Sequence, residues 1–297
     1  VIAPALRAAV ETRLGPVRGA APVGGGCINH GMRVDLADGP VFLKYNADAP
    51  PEMFAAEARG LEALRDAADG LLAVPRPIAW AEAASGAPAW LAMEWIESGP
   101  RPRDFAERLG RGLAAVHRAG RTEGWGWMED NFIGSLPQQN AQAESWAEFW
   151  WMRRLEPQLA MARATGRLPG RAADWDRLLA MLPALLDPAE ADGPSLLHGD
   201  LWGGNVMASA DGPVLIDPAC HRGHREADLA MTELFGGFGA GFHDAYREAW
   251  PLLDGYEQRR AVYQLWYLLV HVNLFGGGYV GQTAGVLREA LEDERRG

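Results

Sequence analysis

The chain of 297 residues carries a net charge of −11, with 48% hydrophobic and 23% charged residues, the make-up of a folded protein with one large domain or two modest ones. An acidic chain without a basic stripe speaks against DNA or RNA as a partner and suits a small neutral or cationic substrate. No apolar run approaches the roughly 20 residues that span a bilayer, no signal-like pattern opens the chain, and Cys27 and Cys220 are too few for a disulfide scaffold or zinc knuckle, so a cytoplasmic protein with no membrane partner is expected.

In chain order, Val17–Ala20, Met32–Asp35 and Val41–Tyr45 read as strands, interrupted by Gly24-Gly25-Gly26 and by the turn Asp38-Gly39-Pro40. From Pro51 to Ala68 the period becomes helical, with Phe54, Ala58, Leu61 and Leu64 three or four apart. Val74–Ala83 and Trp90–Trp95 return to strand character. Glu97-Ser98-Gly99-Pro100 then punctuates the chain, and helices are predicted around Leu109–His117 and over Trp146–Ala164, Trp175–Leu186, Phe242–Trp250 and Gln258–Phe275. The sum is an α+β, bilobal, protein-kinase-like fold. A small antiparallel sheet with one helix occupies residues 1–96, and a large helical lobe occupies 97–297.

The chemistry-bearing residues cluster in His198-Gly199-Asp200-Leu201-Trp202-Gly203-Gly204-Asn205 and Val214-Leu215-Ile216-Asp217. Asp200 can accept a hydroxyl proton, while Asn205 and Asp217 are hard oxygen ligands suited to Mg²⁺ on a nucleotide, the spacing used for phosphoryl transfer from ATP. Of the 28 Lys and Arg residues one alone, Lys44, is a lysine. It ends a strand where a compact ammonium would grip ATP phosphates, a task a planar guanidinium does not share. Glu57, midway along the following helix, is the predicted partner of Lys44. Gly24, Gly25 and Gly26 can bring backbone N–H groups to the phosphates, and Met93, Glu94, Trp95 and Ile96 stand where a hinge would hold adenine. Asp228 is read either as a brace of the catalytic loop or as a plain helix-start carboxylate. Cys220, His221 and His224 read as packing and substrate contacts rather than a metal cluster. Cys27 is either a redox-sensitive thiol or a small turn residue.

These segments resemble the fructosamine kinase, or ketosamine-3-kinase, family within the aminoglycoside-phosphotransferase-like superfamily. The resemblance rests on Gly24-Gly25-Gly26-Cys27-Ile28-Asn29, Asp130-Asn131-Phe132-Ile133-Gly134-Ser135-Leu136-Pro137-Gln138, His198–Asn205, Gly223-His224-Arg225-Glu226-Ala227-Asp228-Leu229-Ala230-Met231, Tyr263-Gln264-Leu265 and Asn273-Leu274-Phe275-Gly276-Gly277-Gly278-Tyr279. It implies ATP- and Mg²⁺-dependent phosphorylation of the 3-hydroxyl of a ketosamine, free or protein-bound, followed by release of the amine. Trp202 is placed by resemblance at the sugar–amine end, with His198 and His224 as further substrate residues. A monomer or weak homodimer is expected. The alternatives are a kinase for an amino alcohol or aminoglycoside, and a catalytically inactive nucleotide-binding protein.

Overall fold

The computed structural model describes residues 2–24 and 28–292. The chain opens with helix α1 (Pro4–Leu14), followed by β1 (Gly19–Val23), β2 (His30–Leu36), β3 (Gly39–Asn46), α2 (Met53–Ala68), β4 (Pro77–Ala81) and β5 (Ala89–Glu94). The five strands form one antiparallel sheet in the order β1-β2-β3-β5-β4. Side chains alternate between its faces. Met32, Val34, Val41, Leu43, Trp90 and Ala92 meet Leu6 and Val10 of α1 on one face. Leu91 and Met93 turn to the other, where α2 lies. The sequence pattern predicts no helix over α1; Pro4 starts it and Gly15 ends it at φ +82°, but Ala and Arg fill much of the rest, so its apolar stripe is short, Leu6, Val10 and the partly buried Leu14.

Residues 95–104 connect to the larger part: α3 (Phe105–Ala119), the hairpin β6 (Asn131–Ile133) and β7 (Leu136–Gln138), α4 (Trp146–Phe149), a π-helical turn (Trp150–Leu155), α5 (Glu156–Ala164), α6 (Ala172–Asp192) and β8 (Ser195–Leu197). A 3₁₀ turn (Gly203–Asn205) leads into β9 (Val206–Ser209), β10 (Gly212–Leu215), β11 (His221–Gly223), α7 (Glu226–Leu234), α8 (Ala240–Ala249), α9 (Tyr256–Phe275) and α10 (Gly278–Glu292). The expected helix over Trp146–Ala164 is therefore one path with a π turn in its middle. Trp146, Trp150, Trp175 and Trp266 pack with Tyr263 around it.

The hydrophobic core is continuous across the connector. Phe54, Leu61 and Leu64 of α2 share a cluster with Leu109 and Leu113 of α3, with Leu201 in the loop after β8 and with Leu215 at the end of β10. Backbone bonds reinforce the junction: Ala73 N–H donates to Pro213 O at 3.2 Å and Leu215 N–H to Ala73 O at 2.9 Å. The sheet and the helical part thus present their facing edges to one cleft.

Candidate active site

Strand β8 pairs with β11 in antiparallel register, His221 opposite Leu197, and the loop leaving β8 carries His198, Asp200 and Asn205. Asp228, fully buried at the start of α7, anchors that loop: its carboxylate accepts from His198 N at 2.7 Å and Gly199 N at 2.9 Å, and meets His117 Nε2 at 3.2 Å. Burial works against the charge, but His117, His198 and the Gly199 amide outweigh it and hold the carboxyl below its ordinary value. The loop-brace alternative for Asp228 is the one this geometry matches. Gly199 turns the chain at φ +80°, and a Cβ there would lie 2.1 Å from the Ala219 carbonyl oxygen, so only glycine fits.

Asp200 follows with a partly accessible carboxylate. Burial, reinforced by the Asp217 and Asp228 carboxylates and opposed by Asn205 and Lys44, pushes its pKa up to about 7. Asn205 ties the segment together: its Nδ2 donates to Asp200 O at 2.8 Å, Asp200 Oδ2 at 3.1 Å and Asp217 O at 3.3 Å. With the amide nitrogen so engaged, Oδ1 is the atom left for a cation. Asp217, just beyond β10, takes φ +54°, a left-handed conformation that costs a non-glycine residue about 1 kcal/mol or more.

On the opposite wall, Lys44 Nζ lies 2.8 Å from both oxygens of Glu57 and 3.1 Å from Asp217 Oδ1. Strand alternation explains the direction: Leu43 enters the α1 face, so Lys44 turns toward α2, where Glu57 sits one turn inside the helix. Burial disfavours the ammonium, yet Asp217 and Glu57 outweigh it and hold Lys44 protonated well above an ordinary lysine. One buried cation thus links the sheet, α2 and the segment after β10.

Gly24 follows β1 directly, whereas Gly25, Gly26 and Cys27 lie outside the described residues. Ile28 is pinned by Asn46, whose Nδ2 reaches Ile28 O at 3.4 Å and Asn29 Oδ1 at 3.0 Å. Its side chain overlies Gly134, where a Cβ would lie 2.8 Å from Ile28 Cδ1. At the far end of β5, Met93 is buried and Glu94 N–H donates to Arg76 O at 2.9 Å. Trp95 stacks on Phe42 beneath the Arg33 guanidinium, and the backbone through Ile96 leaves the sheet.

Trp202 stands 39% exposed on the Asp200 side, its ring folded over Gly204, where a Cβ would lie 2.2 Å from it. The two histidines expected beside it are elsewhere. His198 is fully buried, with Nε2 on Ile216 O at 2.9 Å and Nδ1 facing Asp200 N at 3.3 Å. His224 is equally buried, between Tyr263 Oη at 3.0 Å and Asp192 Oδ2 at 3.2 Å. Neither ring has a nitrogen to offer a substrate, so both are corrected from substrate contacts to structural residues. Cys220 packs against Gly60, its Sγ 3.4 Å from the carbonyl, and burial pushes its thiol pKa far up. Asn131 and Gln138, which in the sequence are no more than part of a family-like segment, are both buried and donate to the carbonyls of Cys220 and Ala219.

The hard-oxygen pair Asn205 and Asp217 fits Mg²⁺, which takes few protein ligands and keeps phosphate and water oxygens for the rest. Beside it stand a phosphate-sized cation, Lys44, and a carboxylate of raised pKa, Asp200. Such a set can hold a nucleotide and take a proton from an attacking hydroxyl.

Comparison with known proteins gives a consistent answer. Residues 5–293 match the model of the fructosamine kinase family. A probable ketoamine kinase of Synechocystis is 43% identical over 270 residues, covering 91% of this chain and 89% of that protein. The chloroplastic protein-ribulosamine 3-kinase of Arabidopsis thaliana is 39% identical over 274 residues, 91% of this chain and 81% of that one. A crystal structure of a candidate fructosamine-3-kinase from Thermobifida fusca superposes with a TM-score of 0.84 at 39% identity, covering 98% of this chain and 100% of that chain. The chain belongs to the fructosamine kinase family and is a phosphotransferase with an alcohol group as acceptor.

Proposed function

We propose that the protein transfers the γ-phosphoryl group of ATP to the 3-hydroxyl of a ketosamine, the ketose adduct left on an amine by glycation. The observation that carries this reading is the meeting of Lys44, Glu57, Asp217, Asn205 and Asp200 in one cleft, in a chain whose relatives are named for ketoamines and ribulosamines. Asn205 and Asp217 would hold Mg²⁺, which screens the phosphate charge. Lys44 grips the α- and β-phosphates and Glu57 fixes it. From its sequence, the glycine run Gly24, Gly25 and Gly26 would offer backbone N–H groups to the phosphates, and the backbone from Met93 to Ile96 would receive adenine.

Asp200 takes the proton of the acceptor hydroxyl as its oxygen bonds to the γ-phosphorus and the bond to the bridging oxygen of ADP breaks. A carboxylate of pKa about 7 is matched to that exchange near neutral pH. Trp202 offers an exposed aromatic face to the sugar–amine end, where an ammonium is attracted by the ring. The 3-phosphorylated adduct then releases its amine, which makes the reaction a deglycation. Among the described residues no helix is long and apolar enough to cross a membrane, and a cytoplasmic location is part of the proposal, beside three relatives named as chloroplastic.

The test is acceptor-dependent ADP release with fructose-, ribulose- and erythrulose-amines, free and on protein lysines, against aminoglycosides, choline and homoserine. Turnover confined to ketosamines supports the reading. Turnover with an aminoglycoside and with no ketosamine overturns it.

A further inference from the structure

The hairpin β6–β7 places Asn131 directly opposite Gln138, so both side chains leave the same face. Gln138 Nε2 donates to Asn131 Oδ1 at 2.7 Å and to Ala219 O at 3.1 Å, while Asn131 Nδ2 donates to Cys220 O at 2.8 Å. Asn140 Nδ2 donates to the same Asn131 Oδ1 at 2.8 Å, and its own Oδ1 accepts from Arg154 Nη2 at 2.7 Å. Arg154 lies in the π-helical turn, fully buried, with its guanidinium 4.6 Å from the Phe149 ring and 5.2 Å from the Trp266 ring. Among the described residues it has no carboxylate in ion-pair contact, and burial lowers its pKa to about 9.

Such a cluster costs stability that an apolar core would not, and what it grips is specific. The two carbonyls belong to residues two and three after Asp217. Ala219 is also the contact point with the catalytic loop: its N–H donates to His198 O at 2.8 Å, and its carbonyl oxygen lies where a Cβ on Gly199 would have to go. Asp217 itself holds φ +54°, a conformation that persists only where surrounding contacts over-determine it. Pro218 follows with its own φ fixed, so clamping residues 219 and 220 limits where the Asp217 carboxylate can point.

We propose that Asn131, Gln138, Asn140 and Arg154 are positioning residues that hold the segment after Asp217 in the register at which its carboxylate meets Mg²⁺. This inference rests on the reading of Asp217 as a metal ligand. Groups that orient a metal ligand typically change affinity 10- to 100-fold when altered.

The experiment is calorimetric titration of ADP, with Mg²⁺ and with EDTA, on the parent and on Asn131→Asp, Gln138→Met and Asp217→Ala, with the melting temperature of each. Asn131→Asp turns a donor into a carboxylate facing Cys220 O; Gln138→Met removes the donor to Ala219 with little change of volume and decides the matter if the first variant does not fold. Expected is a rise of about 10-fold or more in the Kd for ADP with Mg²⁺ in Asn131→Asp, a smaller rise in Gln138→Met, and a change below about twofold in EDTA for both. Asp217→Ala should lose the Mg²⁺-dependent gain altogether; if it keeps that gain, the metal-ligand reading fails and the clamp with it. If Asp217→Ala loses it while the amide variants keep the parental ratio of the two Kd values, whatever their melting temperatures, the amides are structural and the proposal is overturned.

Discussion

Replacing Glu57 by Gln probes how the cleft holds its one lysine. The Lys44 and Glu57 side chains are only 8% and 9% exposed, with contacts of 2.8 Å, and Asp217 stands 3.1 Å from the same nitrogen. Unit charges about 4 Å apart attract by about 4 kcal/mol at an effective dielectric constant of about 20. The glutamine oxygen keeps one hydrogen bond to the ammonium, worth about 1.5–3 kcal/mol. The difference leaves a loss of about 1–3 kcal/mol, less than the about 3–5 kcal/mol for removing one partner of a buried pair outright. Once Glu57 is neutral, Asp217 is the carboxylate left beside Lys44, so the ammonium competes with Mg²⁺ for it. Urea unfolding should show the stability loss, and the Mg²⁺ concentration for half-maximal ADP binding should rise. An unfolding free energy within about 0.5 kcal/mol of the parent, together with an unchanged Mg²⁺ requirement, would refute the reasoning.

Other outcomes follow from the same geometry. Lys44 is held protonated and buried, so amine-reactive labelling at mild pH should modify the amino terminus and spare Lys44 even without nucleotide, and Asp217→Asn should speed its labelling; rapid labelling in the parent, mapped by peptide mass spectrometry, contradicts the pairing. Asp200→Asn should lower kcat by about 10²- to 10⁴-fold with a smaller effect on ATP binding, and unchanged kcat would remove Asp200 from the chemistry. The Asp192 carboxyl, lowered from 3.8 to about 2 despite burial by His224 and Arg225, stabilises the fold above about pH 4 and loses that contribution as pH falls through about 2. The shift corresponds to about 1–2 kcal/mol after a discount for its solvent-facing edge. Asp192→Asn should therefore unfold more easily at pH 7 and converge with the parent in acid; a difference independent of pH would place its role in packing.

The fold is most legible in the sequence where one local pattern carries the information. Strand β2 alternates Met32-Arg33-Val34-Asp35-Leu36 and β3 is a short apolar run after the turn at Gly39, α2 has its apolar residues three and four apart, and Lys44 stands out by being the one lysine. The helix α10 was unreadable because Gly278, Gly281 and Gly285 mimic a loop, and its burial depends on α6 and α9. Glu57 was reachable because it lies one strand–helix connection from Lys44. The Asn131–Gln138 clamp was not, since its acceptors are backbone carbonyls some 80 residues away that no side-chain pattern reveals. His198 is illegible for a related reason: it sits two residues from Asp200 in sequence, but directly after β8 its ring enters the core, where Ile216 O holds it.

The most direct test of the central claim is to find where the phosphate goes. Incubating the protein with Mg·ATP and a ribulosamine or fructosamine of lysine, and assigning the product by ³¹P and ¹³C NMR, should show one ADP per acceptor, phosphate on the 3-oxygen, and subsequent release of free lysine, with none of these in Asp200→Asn. Phosphate on another position, or ADP formation that is the same with and without any ketosamine, would contradict the account.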